Sequence, residues 1–268
     1  MIEKLGVQAY SFRQYYNAAD ATEESVTKVF KQIKTMGYDE IQSADYGKLS
    51  YEQYANAAKA AGLSIIGTHF NYAEIRDNTE ATMRLHEELF STKIMGIGGL
   101  PLEYRESPET VQKFIDEVNA IGKKIAKDGF KFTYHNHHFE FVPFENGKTM
   151  MDMLYEGLDP ETTSFCLDTH WVQRGGGCVV SWIEKLAGRL DILHLKDMGV
   201  YKGPNGAYDI LPRIVPVGEG NLDWNAIITA AEKAGVKYYC VEYDHPTDPN
   251  PLEALRISAN YVRANFMK

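Results

Sequence analysis

An apolar run of strand length followed by an amphipathic helix recurs eight times along the chain, and few folds accommodate that rhythm. Leu5–Ala9 reads as the first strand. Val26, Val29, Phe30 and Ile33 fall on one face of a helix over 22–36 that Gly37 stops. Further strands are expected at 39–42, 63–69, 93–98, 130–135, 164–168, 191–196 and 238–243. Ser50 caps a helix that Gly62 ends, and Ser107-Pro108-Glu109 opens one that runs to Lys127. Helices are also expected over 78–91, 149–156, 179–187, 222–234 and 251–266, with a long loop after the seventh strand around Gly203-Pro204-Asn205-Gly206. No linker divides the 268 residues. The expectation is an α/β protein, a single domain over residues 1–268, closed as a (β/α)8 TIM barrel. The competing arrangement is an open doubly wound sheet. Such a sheet usually carries a Gly-rich phosphate loop after its first strand, where this chain has Tyr10-Ser11-Phe12-Arg13.

Three apolar runs in the second half end in ligand-type residues: Phe165-Cys166-Leu167-Asp168, Ile192-Leu193-His194 and Tyr239-Cys240-Val241-Glu242. A carboxylate at the end of a buried strand needs a reason, because burying charge is costly. Parallel neighbouring strands bring their C-terminal ends to one mouth, where barrels carry their chemistry. Two or three carboxylates and an imidazole there, with no thiolate among them, suit one divalent ion: Mn²⁺, Mg²⁺, Co²⁺ or Zn²⁺.

A fourth run leads into His135-Asn136-His137-His138-Phe139-Glu140. Strand alternation puts His135 and His137 on one face, opposite Asn136 and His138. Three near-adjacent imidazoles do not all reach one ion, so Glu140 is assigned as the fourth metal ligand beside Asp168, His194 and Glu242. His135 and His137 then line the pocket as hydrogen-bonding or acid–base groups. His170, two residues past Asp168, serves as a supporting partner or a proton shuttle. Lys196, two past His194, suits an oxyanion or phosphate. Trp171 and Phe70 would wall a sugar's apolar face. Gly175-Gly176-Gly177 reads as a lid or a weak phosphate cradle.

Composition narrows the partners. A net charge of −9 argues against a nucleic-acid surface and gives an anionic membrane no attraction. No apolar stretch approaches the ~20 residues of a membrane span, and the N-terminus lacks the pattern of a signal peptide. Cys166, Cys178 and Cys240 are an odd, scattered set rather than a disulfide framework, and a cytoplasmic location is expected. Self-association as a homo-oligomer is left open.

With these residues in view, the chain resembles, along essentially its whole length, the sugar phosphate isomerase/epimerase family of xylose-isomerase-like TIM barrels, in the superfamily of endonuclease IV. The early marks are Gly37-Tyr38-Asp39-Glu40-Ile41, Ala61-Gly62-Leu63 and Thr68-His69. The later ones are the segments 134–141 and 167–171, Gly188-Arg189, His194-Leu195-Lys196-Asp197, 217–224 and Val241-Glu242. The resemblance implies a single divalent ion held by Glu, Asp, His and Glu from strand ends, matched here by Asp168, His194 and Glu242. The fifth strand departs: His135 stands where relatives carry Glu, and Glu140, five residues on, is taken as the replacement. Gln42 stands where relatives often have Glu.

The implied chemistry is proton abstraction beside a metal-polarised carbonyl of a small carbohydrate, giving an enediolate. Glu140 or Glu242 would be the base, with His137 and His170 carrying or directing protons. His69, His135, Trp171 and Lys196 would bind substrate. Reprotonation elsewhere makes a ketose isomerase or epimerase. Loss of a β-substituent makes a lyase or dehydratase of the inosose dehydratase or 3-keto-glycoside lyase type. A non-catalytic carbohydrate-binding relative is a further alternative. An endonuclease IV activity would need three zinc ions and a DNA surface, which the acidic balance opposes.

Overall fold

The computed structural model describes residues 1–206, 209–245 and 248–268. Eight parallel strands close a barrel: β1 (Gly6–Gln8), β2 (Glu40–Ala44), β3 (Ser64–His69), β4 (Ile94–Ile97), β5 (Lys131–His135), β6 (Thr163–Asp168), β7 (Leu190–Leu195) and a closing strand between β7 and β1. Two extra strands, β8 (Asp197–Lys202) and β9 (Ile210–Val215), precede that closing strand, which is therefore β10 (Tyr238–Val241). The barrel expected from the eight alternations is the fold observed. No helix among the described residues is long and apolar enough to cross a membrane.

Each strand is buried on both faces, so alternation sorts its residues between the barrel interior and the layer under the helices. Phe165, Leu167, Leu193, Leu195 and Val241 join the large apolar core, whereas Cys166, Ile192, Cys240 and Ile66 form a separate cluster. The ladder sets Asp168 opposite His194, and His194 opposite Cys240. Alternation along each strand gives successive inward positions: Cys166 then Asp168 on β6, Ile192, His194 and Lys196 on and just after β7, and Cys240, Glu242 and Asp244 on and just after β10.

The helices begin where the sequence signals them. Ser50, Ser107 and Thr149 each accept from the backbone N–H three residues on, and Gly62 (φ +74°) ends its helix in the left-handed region. Two expectations need correction. The helix expected over 78–91 is present as Thr79–Leu85 running into a wider turn, His86–Phe90, but a further short helix, Tyr72–Asp77, precedes it where none was expected. Asn71 starts that extra helix by accepting from Ala73 and Glu74, and Asn78 (φ −130°, ψ 40°) breaks the run before Thr79.

The loop after the seventh strand is an antiparallel hairpin of β8 and β9; residues 207 and 208 of that stretch lie outside the described residues. Asp197 ties this hairpin to the barrel. Its carboxylate accepts from Met198 N (2.8 Å), Gly218 N (2.9 Å), Gly220 N (3.1 Å) and Trp224 Nε1 (2.7 Å). The two glycines are obligatory there: Gly218 has φ +95°, and a Cβ on Gly220 would collide with the Asp197 carboxylate.

A buried carboxylate with this many donors cannot be removed cheaply, since each abandoned donor loses its partner. Asp197→Ala is expected to cost about 3 kcal/mol or more in urea unfolding. A loss below about 1 kcal/mol would show that the hairpin does not depend on it.

Candidate metal and active site

His135, Asp168, His194 and Glu242 come together at the C-terminal mouth. Each offers a ligand atom within 4.8 Å of every other, and all four are buried. The local structure aims them. Asp168 ends β6 and caps the short helix Thr169–Arg174: its Oδ1 accepts from Trp171 N at 2.9 Å, leaving Oδ2 without a hydrogen-bond partner. Asn136 Oδ1 accepts from Asp168 N at 2.9 Å and steadies the strand end. His194 turns Nδ1 toward Glu242 Oε2 (3.0 Å) and Asp168 Oδ2 (3.8 Å), and Nε2 toward Gln42 Oε1 (2.5 Å). That places a hydrogen-bond acceptor behind the imidazole, as metal-ligating histidines commonly have.

Charge in this group is out of balance. Lys196, itself buried, lies 3.6 Å from Asp168 Oδ2, 3.4 Å from Glu242 Oε2 and 2.7 Å from Asp244 Oδ1. Three carboxylates share one ammonium, which leaves two negative charges for a divalent cation to offset. In the protein alone His194 takes up the role. Burial would lower its pKa, but Cys166, Glu242 and Asp168 together hold it well above the usual imidazole value. Burial would raise Glu242, yet Lys196 and His194 keep it well below the ordinary carboxylate range. Burial raises Asp168 to about 6 against the pull of Lys196. The donor set, an unpartnered carboxylate oxygen and the missing positive charge all fit a divalent ion held by Asp168, His194 and Glu242 with His135.

Glu140 is held elsewhere. Its Oε1 accepts from Tyr134 OH (2.7 Å) and its Oε2 from His137 N (2.9 Å), and it is not in the ligand cluster, where His135 occupies the β5 position. Through that bond it fixes the backbone that presents His137, whose ring lies 5.0 Å from His135 and 5.3 Å from Trp171. His69 faces His135 at 4.9 Å and His194 at 5.6 Å. His170 Nδ1 is 3.1 Å from Asp197 O, leaving Nε2 unpartnered. Trp171 is stacked by His138 and lies under the Lys196 ammonium at 4.5 Å. Burial lowers the pKa of His69, His137 and His170 to about 3, so all three rings are neutral near pH 7.

Phe70 packs against Tyr46, Tyr51 and His86 in the core and does not wall the mouth. Gln8 and Gln42 also reach the site, and of the two the sequence marks only Gln42, which stands where relatives often have Glu. They are buried polar side chains on β1 and β2, and Gln8 Nε2 donates to Gln42 Oε1 at 2.9 Å. A glutamine inside an apolar strand was the available signal for Gln8. A cavity of about 680 Å³ opens at the opposite end of the barrel, lined by Ser64, Thr92, Lys131 and Asp191 among others. Lys131 and Lys237 are both paired with Asp191 there, so the mouth is the better site by its chemistry.

Residues 30–265 match the family described as xylose isomerase-like TIM barrel, and the chain belongs to that family. It is 24% identical over 233 residues to an inosose dehydratase of Bacillus licheniformis, covering 76% of this chain and 77% of that protein. A match to the inosose dehydratase of Geobacillus thermodenitrificans, also 24% identical, spans 56% of this chain and about half (52%) of that relative. Among solved structures, a sugar phosphate isomerase/epimerase from Parabacteroides distasonis superposes with a TM-score of 0.77 at 21% identity, covering 98% of this chain and 94% of that one. A xylose isomerase-like TIM barrel protein from Mycobacterium smegmatis in complex with magnesium (TM-score 0.70, 16% identity, 98% and 97% covered) shares the fold. So does IOLI protein with a bound zinc atom (TM-score 0.69, 16% identity, 97% of each chain).

Burial pushes the Glu140 carboxyl up to about 7, above its unfolded value. An acid whose folded pKa is raised keeps its proton in the fold after the unfolded chain has lost it. Its stability contribution therefore falls as pH rises from about 4.5 to 7 and levels off above that. The expected span is on the order of 3 kcal/mol. Glu140→Gln should flatten that part of the stability–pH profile in denaturant titrations while leaving metal binding in place. Loss of metal from this variant would return Glu140 to the ligand set.

Proposed function

We propose that this chain is a divalent-metal-dependent enzyme that abstracts a proton next to a carbonyl of a small ketose or related sugar and returns one at another carbon or face. That makes it an isomerase or epimerase. The observation that carries the reading is the group of three carboxylates that share the single ammonium of Lys196 beside His194, an excess of negative charge that a divalent cation would offset. The magnesium and zinc bound by structural neighbours support Mg²⁺, Zn²⁺, Mn²⁺ or Co²⁺ here. When bound, the ion supplies Lewis-acid polarisation of the carbonyl and an adjacent hydroxyl.

The protein's own groups supply the rest. Glu242, kept ionised by Lys196 and His194, is the base. Neutral His137 and His170 carry the second proton or position hydroxyls, using the unpartnered His137 Nδ1 and His170 Nε2. His69 and His135 direct hydroxyl groups from β3 and β5, and Trp171 with the stem of Lys196 forms the wall. Glu140 acts through His137 as a positioning residue. The net charge of −9 fits a small-molecule partner rather than nucleic acid or an anionic membrane, in a cytoplasmic setting.

A second reading, a dehydratase, is favoured by the inosose dehydratases among the relatives. Both begin with the same proton abstraction and differ in whether a β-hydroxyl then leaves. The mass of the product separates them: unchanged for an isomerase, less one water for a dehydratase.

Glu242→Gln keeps shape and an oxygen donor but loses the base. At saturating metal it should cut turnover by about 10²–10⁴-fold. Solvent deuterium should enter carbon-bound positions of the sugar with the parent protein and not with the variant. Exchange that persists in Glu242→Gln removes Glu242 as the base. His194→Ala should lose the ion in equilibrium dialysis while the far-ultraviolet circular dichroism stays unchanged; full metal content in that variant contradicts the site.

A further inference from the structure

We propose that the layer beneath the carboxylates is a second, softer ion position, formed by His69, His135, Cys166 and His194, that takes thiophilic cations such as Zn²⁺ or Cd²⁺ in place of the ion above it. These four residues also offer ligand atoms all within 4.8 Å of one another. Tetrahedral bonds of about 2.0–2.3 Å set ligand atoms roughly 3.3–3.8 Å apart, so closure needs shifts of about an ångström.

Strand alternation explains the placement. Cys166 points inward one layer below Asp168, from the strand next to His194. Buried polar atoms there await a partner: His135, 2% exposed, leaves Nδ1 without a hydrogen bond, and His69 leaves Nε2 so. The Cys166 sulfur makes long contacts, both 3.9 Å, to the Gln42 amide and also lies against the His194 ring.

Ligand softness separates the two positions. Asp168 and Glu242 give the upper one two carboxylates, which favour Mg²⁺ or Mn²⁺. The lower one has three imidazoles and a sulfur, a set that favours Zn²⁺ or Cd²⁺. On binding, a metal–sulfur bond replaces the S–H bond of Cys166 and the proton passes to solvent. Both sets include His135 and His194. Sharing those residues, and the repulsion between two dications a few ångströms apart, makes occupancy exclusive. The chain would then hold an ion that supports its chemistry or, one layer deeper, one that blocks it. This depends on the proposed function only for the ion in the upper position.

The test uses the full chain carrying Cys178→Ser, because Cys178 is exposed and would bind cadmium on its own. Metal-free protein is titrated with Cd²⁺ and read by the ultraviolet thiolate-to-cadmium charge-transfer band. In parallel, bound Mn²⁺ is followed by paramagnetic resonance. The band is expected to saturate in the parent and vanish in Cys166→Ser, which still holds Mn²⁺. Cd²⁺ is expected to release Mn²⁺ from the parent. His69→Asn, which removes a ligand of the lower set alone, should weaken cadmium at least about tenfold and leave Mn²⁺ affinity unchanged. Cadmium bound without the band, a band surviving in Cys166→Ser, or Mn²⁺ retained beside cadmium overturns the proposal. A chain that binds no Mn²⁺ contradicts the proposed function, and the cadmium band then decides the lower position by itself.

Discussion

Three carboxylates at the mouth of a sealed barrel, sharing one buried lysine, are the constraint on which the rest of this structure depends. Isolated ionised groups are expensive to bury, and they persist only when paired and hydrogen-bonded. Lys196 touches Asp168, Glu242 and Asp244, and a protonated His194 supplies further positive charge. The arrangement is tolerable without a metal and better balanced with one. Lys196 thus has a duty within the protein, which sets it apart from a free ammonium waiting for a phosphate.

Around this group lies a set of residues that aim others. Asp168 gives one oxygen to a helix N-terminus so that the second is free. Glu140 binds the backbone of His137, and Asp197 gathers the loop that carries Gly218 and Gly220. Gln42 accepts from Gln8 and stands behind His194. None of these groups need touch a substrate. Each fixes a rotamer or a backbone turn, which is how a loop-built mouth acquires rigid geometry.

The barrel was legible because strand and helix periods alternate without interruption and because Gly and capping residues mark most boundaries. The convergence of ligand-type side chains at the mouth was legible for the same periodic reason. Cys-Leu-Asp, Ile-Leu-His-Leu-Lys and Cys-Val-Glu-Tyr-Asp each put ligand-type residues on the inward side of a strand. What sequence reasoning missed lies where period gives no instruction. The β8–β9 hairpin contains Gly199 and Pro212, residues that weaken a strand signal, and owes its place to the ladder and to Asp197. Glu140 looked like a ligand because a carboxylate was expected near the end of β5. Five residues beyond the strand the chain has already turned, and its carboxylate meets Tyr134 instead.

Family membership and fold leave the reaction open, since the similar proteins include inosose dehydratases as well as a sugar phosphate isomerase/epimerase. The charge argument is independent of that choice and can be measured alone. Calorimetric titration of the metal-free chain with Mn²⁺ near pH 7, repeated in buffers of different ionisation heat, counts the protons released on binding. Because His194 is protonated before the ion arrives, about one proton should leave per ion bound. Binding with no proton release, or no binding, would contradict the account.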